Sequence, residues 1–410
     1  MTNNNFYKAL GITSDKQLKE FAKNSGVKLG KLKYYAEEMV YPHGTDLDKI
    51  LATSKLSEVE LQLRIGYINN RLKNLIAEHS SQILEILKLG EQQTDSSTPN
   101  FQPVFETQLG QLFQEDCIPL INSLPNESVD LIFADPPFNL NKSYESGIND
   151  KLSKTEYLEW TEKWILGCID LLKEGGSFFI WNLPAWATHI SEILNKHLTF
   201  RHWIATDIKY RLPIQNKLYP SHYALLYYTK GEKPNTFNGE RLPLEVCRHC
   251  GGDIRDYGGY KDKLHPFGIN LTDVWYDISP VRHSKYKTRA SNELPLKLLE
   301  RIISMASNEG DTVFDPFGGS GTTFIVSEIL KRRWIGSEIG PVETIQERFK
   351  DIDFHKDVIL DIQSTKNTLF TDETKKIRRK NNHWLPDTLA INRRKKKEKN
   401  EEQISLFPKL

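Results

Sequence analysis

The stretch Val129-Asp130-Leu131-Ile132-Phe133-Ala134-Asp135-Pro136-Pro137-Phe138-Asn139 decides how this chain is read. Val129 to Ala134 is a β-branched and apolar run, the pattern of a parallel strand buried on both faces. It stops on an acid and two prolines. Proline has no N–H and a fixed φ, so Pro136-Pro137 ends the hydrogen-bonded ladder and holds a rigid turn. Asp135 is thereby expected at the carboxyl end of a strand, where open α/β sheets place their ligands.

An acid, a carbonyl-rich proline corner and the flat ring of Phe138 suit a planar base carrying an exocyclic amine. The Asp135 carboxylate and the Pro136 carbonyl can accept the two amine hydrogens, while Phe138 stacks on the ring. Such a base must first leave its helix, as in base flipping. The plain alternative is an ordinary strand end with an Asx turn.

A second stretch shares the logic. Thr312-Val313-Phe314 reads as a strand, Asp315-Pro316-Phe317-Gly318-Gly319-Ser320-Gly321 as a loop, and Thr322 to Lys331 as a helix. Glycines let backbone approach a ligand closely, and the helix N-terminus offers N–H donors and partial positive charge. The next strand, from Arg333, ends at Glu338, where dinucleotide folds put the acid that holds ribose hydroxyls. The glycine spacing is not G-x-G-x-x-G, and no Lys follows Gly321 as a phosphate loop requires. A nucleoside bearing a carboxylate instead of phosphates fits better, and S-adenosylmethionine is such a molecule.

DPPF followed by FDPFGGSGTT, in that order, resembles the amino-methyltransferases of DNA, adenine-N6 and cytosine-N4 together. It is most similar to the beta class, in which the catalytic motif precedes the cofactor motif. The likeness covers about residues 103–350. It implies a doubly wound, mostly parallel α/β sheet of the S-adenosylmethionine-dependent methyltransferase type. It also implies catalytic roles for Asp135, Pro136, Pro137 and Phe138. Cofactor contacts are implied for Asp315, Phe317, Gly318, Gly319, Ser320, Gly321, Thr322 and Glu338, with Asp116-Cys117 at the position that meets the cofactor adenine. Members with Asp at the first motif position mostly act on adenine N6, and those with Ser mostly on cytosine N4. The expected activity is therefore site-specific adenine-N6 methylation of double-stranded DNA, as the modification enzyme of a restriction–modification system. The resemblance leaves open cytosine N4, an RNA substrate, and a DNA-binding regulator whose methyltransferase domain is secondary.

Outside that region the chain splits into further parts. Residues 1–95 read as a helical domain. Helix signals around Ser14-Asp15, breaks at Gly26 and Gly30, and Lys28, Lys31, Lys33, Tyr34 and Tyr35 close together resemble a helix-turn-helix; a helical cap is the alternative. Leu56 to Leu89 has helical periodicity and reads as one long helix or a hairpin, for core packing or a homodimer seam. Glu91 to Gln102 is polar and linker-like, and a domain boundary is expected there. Residues of about 231–290 lack periodicity, and the resemblance places target recognition there. Arg282, His283, Lys285, Lys287 and Arg289 are the DNA-contact candidates. Cys247-Arg248-His249-Cys250 has zinc-ligand spacing but no second pair follows, so no metal is expected. Residues 351–410 form a C-terminal extension, expected to loosen from about Asp372 where basic clusters begin. Gln403-Ile404-Ser405-Leu406-Phe407 resembles the pentapeptide by which bacterial proteins bind the replication sliding clamp; docking on the protein's own surface is the alternative.

Composition sets the frame. A chain of 410 residues, 38% hydrophobic and 27% charged, can bury a large core. Its net charge of +1 leaves local patches to decide about nucleic acid. Four cysteines make no disulfide framework. Neither a signal pattern nor a membrane-length apolar run is visible, so the expectation is a cytoplasmic enzyme.

Overall fold

The computed structural model describes residues 4–87, 101–140, 152–207, 215–216, 218–247, 249–255, 258–259, 264–265, 268–278 and 293–385. These fall into two compact units. One holds the described part of 1–98, 139–143 and 149–162; the other holds the rest.

The first unit is helical: α1 (Asn5–Ala9), α2 (Asp15–Ser25), α3 (Leu29–Glu37), α4 (Gly44–Ser54), α5 (Glu58–Ile65), α6 (Asn70–Glu78) and α7 (Ser80–Leu87). Side-chain caps start several of them. Ser14 accepts from Gln17 N, Ser57 from Glu60 N and Asn69 from Leu72 N. Phe6, Tyr7, Leu18, Val27, Leu32, Tyr35, Ile50 and Leu61 bury into one cluster. The one long helix or hairpin expected across 56–89 is, among the described residues, three helices. Gly66 ends α5 at φ 75°, and Asn69 opens the next helix.

The second unit is a sheet with helices on both faces. Its elements are β1 (Phe105–Glu106), β2 (Gly110–Phe113), α8 (Cys117–Ser123), β3 (Val129–Ala134), the end of α9 (Lys154–Leu171), β4 (Leu172–Asn182), α10 (Pro184–Leu194), β5 (Thr199–Asp207) and β6 (His222–Thr229). There follow β7 (Arg241–Leu242), β8 (Ile269–Asn270), β9 (Val274–Trp275), α11 (Leu296–Ala306), β10 (Thr312–Asp315), α12 (Thr322–Ile329), β11 (Arg333–Ser337), α13 (Glu343–Lys350), α14 (Ile352–Thr365) and α15 (Asp372–Lys380). The main sheet runs β1-β2-β11-β10-β3-β4-β6-β5-β9. The stretch β2-β11-β10-β3-β4 is parallel throughout, and β6 enters antiparallel to both β4 and β5. This is the expected doubly wound, mostly parallel architecture.

Alternation along β3 divides its side chains between the two faces. Leu131 and Phe133 join a core with Phe179, Leu225, Leu299, Ile303 and Val313. Val313 also pairs with Trp334, so on the same face, farther along the sheet, Phe324, Trp334, Val342 and Ile345 pack together.

β4 starts at Leu172 and runs through Gly175-Gly176. Gly175 stands at φ 75° and pairs with Lys230 O, while Asn235 fills the space where a side chain would stand. The aperiodic region rejoins the main sheet, since Ala205 and Thr206 of β5 pair with Val274 and Trp275. Finally, the chain does not loosen at Asp372. Thr371 caps α15, and Arg378 is buried, donating to Trp384 O and Gly252 O.

Candidate active site

Parallel pairing puts the two motif stretches side by side. Val313 of β10 sits opposite Leu131 of β3, and Phe314 opposite Ile132. Both strands therefore release their chains at the same edge, β3 into Asp135 and β10 into the glycine loop. On the other flank of β10, β11 ends at Ser337 and is followed by Glu338; β2 lies beyond it and leads to Asp116. The order along that edge is Asp116, Glu338, the loop, Asp135. No local sequence signal specifies this order; the strand pairing does.

The glycine loop is held shut from several sides. Asp315 is 2% exposed, and its two oxygens accept from Phe317 N at 2.9 Å and Thr323 Oγ1 at 2.6 Å. Burial pushes its carboxyl up to about 7, and the Glu338 charge adds to the rise, against those two hydrogen bonds. Asp315 thus braces the loop from inside. Gly318 donates to Ser337 O at 2.7 Å, and a Cβ there would stand 2.7 Å from the Phe324 ring. Gly321, at φ 77°, opens α12 where a Cβ would run into Ile345. From α13, Arg348 reaches in and donates to Ser320 O, Ser320 Oγ and Thr322 Oγ1 at 2.8–3.2 Å. Ser320 and Thr322 are accordingly buried and engaged with each other and with Arg348.

What the loop leaves available is Gly319, Glu338 and the N-terminus of α12. The half-buried Glu338 accepts Gly319 N at 2.6 Å on one oxygen and Gly340 N at 2.7 Å on the other. A carboxylate has about four lone-pair sites, so each oxygen retains one for a hydroxyl. A carboxylate beside a glycine turn and a helix N-terminus is a donor and acceptor set that fits a nucleoside with an anionic end. Phe317 is half-buried and meets the Trp164 ring edge-on at 5.1 Å. Asp116 is exposed and caps α8 through Ile118 N.

The Asp135 corner faces aromatic rings. Phe138 lies 6.0 Å from Tyr223, and Tyr223 stacks on Trp181 at 4.8 Å. Trp186 Nε1 donates to Phe138 O at 2.8 Å and so fixes the backbone of the corner. Burial raises the Tyr223 phenol, and the nearby Asp135 carboxylate raises it further. Asp135 itself is half-buried and Pro136 buried.

The DNA methylase model of the N6/N4 family matches residues 129–347, which include both corners. The type II methyltransferase M.BamHI of Bacillus amyloliquefaciens is 48% identical over 408 residues, 97% of this chain and 96% of that protein. The chain belongs to the DNA methylase family. The DNA adenine methyltransferase YhdJ of Escherichia coli (strain K12) is 33% identical over 229 residues, 55% of this chain and 76% of that protein. Among solved structures, the PvuII DNA methyltransferase (cytosine-N4-specific) is 21% identical, with a TM-score of 0.47, over 65% of this chain and 96% of that one.

Family membership brings S-adenosylmethionine with it as cofactor, and the Gly319–Glu338 side of the methylase suits that molecule. Cys117 and Cys168 are buried, and burial raises both thiols well above their ordinary range, which disfavours thiolate chemistry. Cys247 and Cys250 sit in a knuckle closed by Gly251 N on Cys247 O, with no group of three or more metal-binding side chains assembled among the described residues.

Sequence reasoning missed Arg348, Tyr223, Trp181 and Trp186. Their signals were an arginine on an amphipathic helix and aromatic residues in strand or helix patterns, which read as ordinary packing. Arg282, His283, Lys285, Lys287, Arg289 and the Gln403–Phe407 segment lie outside the described residues. No helix among the described residues is long and apolar enough to cross a membrane.

Proposed function

We propose that this methylase transfers a methyl group from S-adenosylmethionine to an exocyclic amine of a base in double-stranded DNA, at a defined sequence, as the modification partner of a restriction endonuclease. The observation that carries the reading is the adjacency of the Asp135 corner and the glycine loop on neighbouring parallel strands. The cofactor supplies, when bound, a methyl group on a positively charged sulfur.

The chain's own part is to hold the base. The Asp135 carboxylate and the Pro136 carbonyl accept the two amine hydrogens, which raises electron density on nitrogen as it attacks. The Phe138 ring stacks on the base, with Tyr223 and Trp181 beside it excluding water. Trp186 keeps the corner rigid through Phe138 O. Catalysis of this kind is positioning and electrostatics.

Adenine N6 is the base read from Asp135 and Phe138. Cytosine N4 is the second reading. It is favoured by the chemistry of the corner, since Asp135 and Pro136 address only the amine that the two bases share. Labelled S-adenosylmethionine and unmethylated genomic DNA, followed by digestion to nucleosides, test both. Labelled N6-methyladenine supports the first reading and labelled N4-methylcytosine the second. Unlabelled DNA from a protein that binds the cofactor would refute both.

A further inference from the structure

The methyl-transfer chemistry uses no residue of helices α2 and α3. They are joined by Gly26-Val27-Lys28, with Gly26 at φ 67° ending α2. Leu18, Val27, Leu32 and Tyr35 are buried in the joint core of the first unit, with Phe21 and Ala22 packed against it. α2 packs on α3 and on α4, and α1 packs on α3. This is a two-helix corner with a three-residue, glycine-containing turn, the build of a helix-turn-helix.

The outer faces are distinct. On α2, Lys16, Lys19 and Lys23 recur at helical spacing and are all exposed. On α3, Gly30, Lys33, Tyr34 and Glu37 form the outward stripe, with Lys28 leading in. Tyr34 is 48% exposed, a large ring left in solvent. Gly30 stands inside a helix at some cost to that helix, yet a Cβ there would meet nothing within 4 Å. No neighbour among the described residues calls for a glycine there; a molecule approaching the helix closely from outside would.

Charge says what that molecule is. Residues 16–34 carry six lysines and a single acid, Glu20, in a chain whose net charge is +1. Lys31 is held by Asp46 at 2.6 Å, which leaves Lys28, Lys33 and the α2 lysines as the outward positive groups. The acids Glu37 and Glu38 lie at the far end of α3, away from the turn. In helix-turn-helix proteins the start of the second helix reads base edges while the first helix crosses the phosphate backbone.

We propose that α2 and α3 are a helix-turn-helix that seats α3 in the major groove of duplex DNA, giving the protein a DNA contact made by residues outside the transfer chemistry. Lys28, Gly30, Lys33 and Tyr34 meet the groove, and Lys16, Lys19 and Lys23 lie along the phosphates.

Selection from a library of random 40-base-pair duplexes tests this with the full chain. It compares the native protein with the triple variant Lys28→Ala, Lys33→Ala, Tyr34→Ala. The native chain should enrich bases that the variant no longer selects. The variant should bind the enriched duplex at least tenfold more weakly. A second triple variant, Lys16→Ala, Lys19→Ala, Lys23→Ala, removes the phosphate-side lysines and should make the dependence of log affinity on log salt shallower by about one per lost contact. The thermal midpoint and cofactor affinity of both variants should be unchanged. If the first triple variant melts early, the charge-reversed pair Lys28→Glu, Lys33→Glu provides the same comparison. Identical selection, affinity and salt slope in native and variant protein would overturn the proposal. Methyl transfer is not read in this experiment, so it stands or falls apart from the function proposed above.

Discussion

The backbone N–H of Gly319 donates to the carboxylate of Glu338 at 2.6 Å, across the gap between the ends of β10 and β11. The glycine turn and Glu338 are therefore one connected unit, and a ligand held by either is felt by both. Replacing Glu338 with Ala removes an acceptor for Gly319 N and Gly340 N as well as a ligand contact. Calorimetric titration should show cofactor affinity down at least tenfold, and Glu338→Gln, which keeps one acceptor oxygen, should lose less.

At the other corner, Asp135→Ala should lower kcat by about a hundredfold or more, the scale of removing a preorganised polar group that acts on the transferring centre. Cofactor affinity should hold, because Asp135 lies on the neighbouring strand. Equal loss of cofactor binding would move Asp135 from catalysis to cofactor support.

Tyr223 offers a cleaner division. Tyr223→Phe keeps the ring that stacks on Trp181 and should retain most activity. Tyr223→Ala opens the wall beside Phe138 and should raise KM for DNA and depress kcat. Steady-state kinetics on a duplex carrying the target sequence decides, and equal effects of both changes would assign the role to the hydroxyl.

The Asp315 carboxyl, pushed up to about 7 by burial, makes a pH prediction. A carboxyl whose folded value exceeds its unfolded one favours the folded state at low pH and loses that contribution as pH rises through the folded value. Thermal midpoints of the native protein, compared with Asp315→Asn, should therefore decline between about pH 4 and about pH 7 and level off above it. A difference that stays flat with pH would show that the carboxyl titrates in its ordinary range.

Arg301 and Asp277 pull the opposite way. Arg301, 2% exposed, donates to both Asp277 oxygens at 2.9 and 2.6 Å and lies 5.0 Å over the Trp275 ring. Burial opposes the Asp277 charge, but Arg301 and then Lys297 hold its carboxyl well below the usual range. Its stabilising contribution is present above about pH 4 and falls away in acid. Asp277→Ala leaves a buried guanidinium short of its partner and should cost roughly 3 kcal/mol in chemical denaturation.

Much of this protein was legible in one dimension. The apolar run Val129–Ala134 ending on Asp135-Pro136-Pro137 is a strand end because proline cannot donate to the ladder. Asp315 to Gly321 is a strand-to-helix turn because it needs positive φ and close packing. Those are local constraints, written in adjacent residues. The breaks in the first unit were harder to see. Gly66 and Asn69 ended a periodic pattern that looked continuous, because caps act over single residues while periodicity averages over many.

By itself, then, the sequence determined the local chemistry: an acid on a proline corner, a glycine turn before a helix, an acid at the end of the next strand and a lysine-rich helix pair. Only the tertiary structure decided which of these meet. Pairing of β3 with β10, residues far apart in the chain, sets Asp135 beside the glycine loop. The fold of α13 back onto that loop brings Arg348 to Ser320 and Thr322, and β6 carries Tyr223 to Phe138. The physical reason is that strand register and helix packing are fixed by burial summed over many residues. No short stretch of sequence therefore encodes who its neighbour will be.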